Sequence, residues 1–150
     1  MASIKTELLQ VELTGIEKSA THLEYSFNRC KGLMTTSPLS PEQLESLESL
    51  TSRFARLSDL LTKRVFRLID DLELAEAGTV LDRIYRAEKR GWLDSAQMIR
   101  IRELRNLIAH EYSQDQMTEI YRVVISLTDP LLAIVPKVIP DGQKLINRYA

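Results

Sequence analysis

The chain is poor in the residues that build covalent or metal-centred sites: one cysteine and two histidines in 150 residues. With Cys30 alone there is no intramolecular disulfide, which suits a reducing compartment. So few soft ligands leave no convincing metal-ligand cluster, and neither a metal nor a cofactor is expected. No unbroken apolar run approaches the roughly 20 residues of a membrane span. The opening segment from Met1 to Glu7 brings acid at once instead of the apolar stretch of a secretory signal. These absences predict a soluble, cytoplasmic protein that engages no membrane.

What is present is ordinary globular material, 44% hydrophobic and 27% charged. The length suits one domain over residues 1–150 with a core of its own. The net charge of -1 excludes a strongly basic or acidic protein. Charge is uneven, however. From Arg83 to Arg105, seven bases stand against Glu88, Asp94 and Glu103. That excess permits a polyanion partner without predicting one.

The five glycines and five prolines fall mostly between periodic segments. Leu8/Leu9, Leu13, Ile16, Ala20, Leu23 and Phe27 recur at three- and four-residue steps and predict a helix from about Ser3 to Lys31. Ser40-Pro41-Glu42-Gln43 carries serine, proline and glutamine where a capping box needs them. It opens a second helix through Leu44, Leu47, Leu50/Thr51, Phe54, Leu57, Leu61, Val65, Leu68 and Leu72. A shorter helix restarts at Gly78-Thr79 and closes at Gly91. Asp94-Ser95 caps another, through Met98, Ile101, Leu104 and Ile108. Ser113 to Asp115 starts the last one, with Met117, Ile120, Val124 and Leu127/Leu131 inward, and Pro130 and Pro136 are expected to kink or end it. The tail from Gln143 to Tyr149 adds a last turn or two. Val123-Val124-Ile125 is strand-like but too short for a sheet. The fold class predicted is all-α, an antiparallel up-down bundle of four to five helices.

The segment from Asp94 to Tyr112 holds the candidate chemistry. At about 100° per residue, Ile101, Leu104 and Ile108 share the core side. Arg102, Asn106 and His110 form a polar ridge opposite, flanked by Arg105, and small Ala109 leaves room for an approaching group. His110 is the residue type best suited to proton transfer near neutral pH. Arg105 offers a planar fork of donors that matches a phosphate. Arg105 and His110 are five residues apart, about 140° on an ideal helix. They converge only if the helix loosens near His110 or a partner subunit supplies one of them.

Arg105-Asn106-Leu107-Ile108-Ala109-His110-Glu111-Tyr112 resembles the Arg-x4-His-x-Tyr motif of HEPN proteins of the HepT toxin type, including the asparagine after the arginine. The resemblance implies a metal-independent endoribonuclease toxin, usually a homodimer with both motifs lining one cleft. It implies an RNA substrate and, as antitoxin partner, an MNT-type minimal nucleotidyltransferase, which in some systems adds AMP to the motif tyrosine. The roles implied here are His110 as general acid/base and Arg105 as phosphate clamp. Asn106 would brace one of them, Arg102 would assist in RNA binding, and Tyr112 is the candidate for AMPylation.

Plainer readings stand beside these. Arg105 reads equally as a solvated helix charge, His110 as a cap on helix C-terminal carbonyls, and Asn106 as a polar spacer. Tyr112 also reads as a half-buried aromatic. His22 reads as structural or solvent-facing, Asp59 and Asp82 as surface charges, Trp92 as a packing anchor and Cys30 as an inert thiol. At the level of function, a non-catalytic nucleotide- or substrate-binding adaptor of a minimal nucleotidyltransferase is the alternative to the ribonuclease. A plain helical interaction module is a third.

Overall fold

Short polar side chains open the helices of this chain by accepting the N–H groups that a first turn leaves without a partner. Ser3 accepts from Thr6 at the head of α1 (Ile4–Cys30). Ser40 and Gln43 exchange both bonds of a capping box, with Pro41 in first position, at the head of α2 (Pro41–Asp59). α2 runs on through a π-helical segment, Leu60–Val65, into α3 (Phe66–Leu72), so the three pieces make one rod. Thr79 and Asp82 box α4 (Val80–Lys89), Asp94 caps α5 (Ser95–Ile108), and Ser113 with Gln116 boxes α6 (Gln114–Tyr149). The computed structural model describes residues 3–110 and 113–150, apart from the side chain of Gln114, and among these there is no strand. The protein is an all-α bundle of five helical rods. Asp82 is exposed, as expected, but its carboxylate also closes the α4 cap, and the Thr79 backbone N–H holds its pKa below the ordinary range.

α1, the rod and α6 pack on one another, and α5 lies against α2, α4 and α6. Leu9, Leu13, Ile16 and Leu23 of α1 meet Leu47, Leu50, Phe54, Leu57 and Leu61 of the rod in one continuous core. The α1 stripe sits slightly off its expected line. Leu8 is exposed and Ala20 and Phe27 are half-buried, whereas Thr6, Ser19 and Ser26 are buried. Thr6 donates to the Ser3 carbonyl one turn back, as Thr51, Thr62 and Thr128 do on other helices, and Ser26 accepts from Arg53, whereas Ser19 Oγ is buried without a hydrogen-bond partner among the described residues. Gly142 is the close-approach point of α6 on α1. A Cβ there would lie 2.9 Å from Leu13 Cδ1.

The π segment shifts the register of the rod. A π turn adds a residue to the helical circuit, so the face presented inward rotates from there on. Phe66 and Ile69 are therefore fully buried, while Leu68, expected inward on an uninterrupted α-helix, is only half-buried. Arg83 of α4 donates to the carbonyl of Thr62 within this segment at 3.3 Å.

Pro130, Pro136 and Pro140 do not end α6, which runs 36 residues without interruption. Each proline takes a donor from the carbonyl four residues back. Those carbonyls belong to Ser126, Leu132 and Pro136, none of them buried, so water can serve them. The inward residues Leu131, Ile134, Val135 and Val138 hold the helix in place. α6 also departs from the expected hydropathy. A window within Asp115–Tyr149 reaches a mean hydropathy of 1.7, long and apolar enough to cross a membrane, with 39% of it buried inside the bundle.

One carboxylate fixes the junction between the rod and α4. Asp70, with its side chain 6% exposed, accepts from Arg86 at 3.0 Å and Arg90 at 2.7 Å. Arg90 also lies over the Trp92 ring, which stacks on Phe66 and donates from Nε1 to Asp141 at 2.7 Å. Trp92 is the packing anchor expected of it. Gly91 takes a φ of +84° between them, a conformation open to glycine at little cost. Asp70→Ala leaves two arginines facing an apolar neighbourhood, so a loss of about 2–3 kcal/mol is expected in urea unfolding. Cys30 is fully buried and burial raises its thiol pKa. A thiol reagent at neutral pH is therefore expected to label the unfolded chain but not the native one.

Candidate functional site

α5 presents Ile101, Leu104 and Met98 to the core and turns its other side outward, as its periodicity requires. Arg102 is half-buried and Asn106 exposed on that outer side. Neither makes a hydrogen bond or ion pair among the described residues. Arg105 has 25% of its side chain exposed and is held firmly. Its Nε donates to Asp59 Oδ1 at 2.7 Å and its Nη2 to Asp59 Oδ2 at 2.8 Å. This is the two-pronged pairing that the guanidinium fork favours.

Asp59 is thus no ordinary surface charge. It ends α2 where the π segment begins, and 46 residues separate it from Arg105. Lys63, one turn along, stands 3.6 Å from the same Oδ1. The pair does two things. It locks the rotamer and plane of Arg105, and its hydrogen bonds raise the Arg105 pKa further above its ordinary value. Arg105 is a permanent cation whose remaining three of five N–H donors are uncommitted among the described residues.

The helix ends before the histidine. Ala109 caps α5, and the His110 backbone N–H donates to the Leu107 carbonyl at 3.1 Å, a tighter turn than the α-helical one. The continuous ridge Arg102–Asn106–His110 therefore has only its first two members on the helix. His110 sits in the bend just beyond, exposed and bonded. α5 thus ends at Ile108, and the roughly 140° of an ideal helix does not carry through to His110. Tyr112 and Glu111 lie outside the described residues. Beside the site, Leu104, Leu107, Ile120, Val123 and Leu127 line an apolar groove of about 280 Å³ between α5 and α6, edged by Arg100, Glu103 and Glu119. Among the described residues, no three histidine, cysteine, aspartate or glutamate side chains gather in a metal-binding group.

Sequence reading missed Asp59 as a member of this site. Nothing local marks it, because its partner lies on another helix. The one available hint is that Asp59 is the lone carboxylate among the arginines and lysine between Arg53 and Arg67. Replacing Asp59 with asparagine should cost on the order of 1–2 kcal/mol, since a partly exposed charge-assisted pair is lost. More tellingly, the Arg105 Nε–H resonance, sharp and slow to exchange in the native protein, should broaden by exchange with water in that variant. An unchanged resonance would mean that Asp59 does not hold the guanidinium. Comparison with family models, with curated proteins and with solved structures returned no match for this chain.

Proposed function

We propose that this chain is a metal-independent endoribonuclease of the HEPN type, the cytoplasmic toxin of a toxin–antitoxin pair. The observation that carries this reading is the Arg105 guanidinium, fixed by Asp59 with three donors uncommitted, at the end of a helix that opens into His110. In the cleavage proposed, the 2′-hydroxyl of the RNA attacks the adjacent phosphorus and the 5′-oxygen departs. The attacking hydroxyl loses a proton and the leaving oxygen gains one, leaving a cyclic phosphate and a 5′-hydroxyl. His110 moves one of these protons. Arg105 faces the phosphorane oxygens, where negative charge builds. Asp59 acts through Arg105 as a positioning residue, while Asn106 and Arg102 supply further polar contacts to the same strand. A homodimer would bring a second Arg105–His110 segment to the same cleft.

An MNT-type nucleotidyltransferase is the partner that fits the resemblance. Its proposed target is Tyr112, where transfer of AMP from ATP, with release of pyrophosphate, adds a bulky anion two residues beyond His110 in the sequence. That phosphate would compete with RNA for the guanidinium. Co-expression with the neighbouring nucleotidyltransferase should add the mass of AMP to the intact chain, and Tyr112→Phe should abolish the gain. A gain that survives the substitution would move the modification elsewhere.

Expression of the chain alone tests the function itself. Growth arrest and RNA degradation are expected, with His110→Ala lowering the cleavage rate by about 10²–10⁴. His110 is exposed, so circular dichroism of that variant should match the parent. RNA bound but left intact by the unsubstituted chain would favour the adaptor reading. Cleavage retained by His110→Ala would refute the mechanism.

A further inference from the structure

The middle of the rod that carries Asp59 is basic, although the rod as a whole is not. Between Arg53 and Arg67 it holds five cations and a single carboxylate. Arg53 is used inside the bundle, donating to Ser26 Oγ at 2.8 Å and to the His22 carbonyl at 3.1 Å. Arg56, Lys63, Arg64 and Arg67 are all exposed. A shallow depression of about 520 Å³ runs along this face, lined by Arg56, Asp59, Lys63 and Arg64 with small and apolar neighbours. Its only carboxylate, Asp59, already takes two bonds from Arg105, and Arg64 is matched by Glu12 at 3.2 Å. Arg56 and Arg67 have no carboxylate partner among the described residues. Positive charge is therefore left over at Arg56 and Lys63, on the face whose Asp59 holds the residue proposed to clamp the scissile phosphate, while Arg67 lines a separate depression with Asp70, Asp71 and Glu76.

We infer that this face of the rod, from Arg56 to Arg64, is the track along which a single-stranded RNA backbone reaches Arg105. The inference rests on the ribonuclease reading and adds the path of the substrate to it. The chemistry of the lining decides what is bound. Eight helical steps span roughly 12 Å, enough for two or three successive phosphates. The depression has no aromatic side chain on which a base could stack, so it reads charge and spacing rather than sequence. The π segment contributes directly, since Asp59, Leu60, Lys63 and Arg64 line one side of the rod there. Lys63 can leave Asp59 for a phosphate without uncovering the carboxylate, because Arg105 stays bonded to it at shorter distance.

The test uses the full chain carrying His110→Ala, which silences cleavage, and a fluorescent single-stranded RNA of mixed sequence. Affinity is measured by anisotropy across a salt series. Adding Arg56→Ala, Lys63→Ala and Arg64→Ala should flatten the slope of log affinity against log salt by about 2, since each phosphate contact on a single strand contributes about 0.7. Replacing Lys5, Lys18 and Lys31, exposed on or just after α1, should leave the slope unchanged. With His110 intact, the rod variant should raise KM for RNA and leave kcat within about twofold. A slope unaltered by the rod substitutions, or lowered equally by those near α1, would overturn the track while leaving the ribonuclease reading in place. Competition by polyglutamate as effective as by RNA of equal charge would overturn it in favour of an acidic protein partner. No binding of RNA at low salt by the chain carrying His110→Ala alone would remove the ribonuclease reading, and the track with it.

Discussion

Two short hydrogen bonds between Asp59 and Arg105 tie the rod to the helix that carries the candidate chemistry. Without them α5 would still pack through Met98, Ile101 and Leu104, but its outward arginine would sample many rotamers. A long cationic side chain loses much of its freedom when it binds a phosphate. Holding the fork in one plane beforehand removes that loss from the binding step. The carboxylate that does so sits where α2 widens into the π segment, a feature that recurs at functional sites in other proteins.

The rod uses the same device twice, at two depths. Asp70 is nearly buried and takes one bond from each of two arginines on or next to α4, so its role ends with fixing the helix junction. Asp59 is 29% exposed at its side chain and takes both its bonds from one arginine, with Lys63 alongside. The Asp70 carboxylate is shielded from water, whereas that of Asp59 is open to it. Burial, rather than the identity of the partners, separates a structural ion pair from one that can take part in binding.

What the sequence made legible follows from distance along the chain. Caps are local, so Ser40, Thr79, Asp94 and Ser113 were readable from neighbours three residues away, and so was the all-α class. The segment Arg105–His110 was readable as a constellation for the same reason. The register after Leu60 was not, because one extra residue in a π turn leaves no mark on apolar periodicity, yet it carries Phe66 and Ile69 inward. The prolines of α6 misled because local propensity was weighed without the packing that overrides it. Asp59 was hidden for the plainest reason, a partner 46 residues distant.

A carboxylate beside a phosphate clamp carries an electrostatic cost, since it repels the anion that the arginine is meant to hold. The arrangement is consistent only if the surroundings return the charge that Asp59 removes. Lys63 lies 3.6 Å from Asp59, and Arg56 and Arg64 line the same depression. Charges close to Asp59 are little screened at a Debye length of about 8 Å, so their fields add to that of Arg105 and oppose the single negative charge. The arginines and lysine around Asp59 are therefore what would let Arg105, in the role proposed for it, be both rigid and attractive to phosphate. Rigidity comes from the acid, attraction from the bases around it, and the π segment is where the two are brought onto one face.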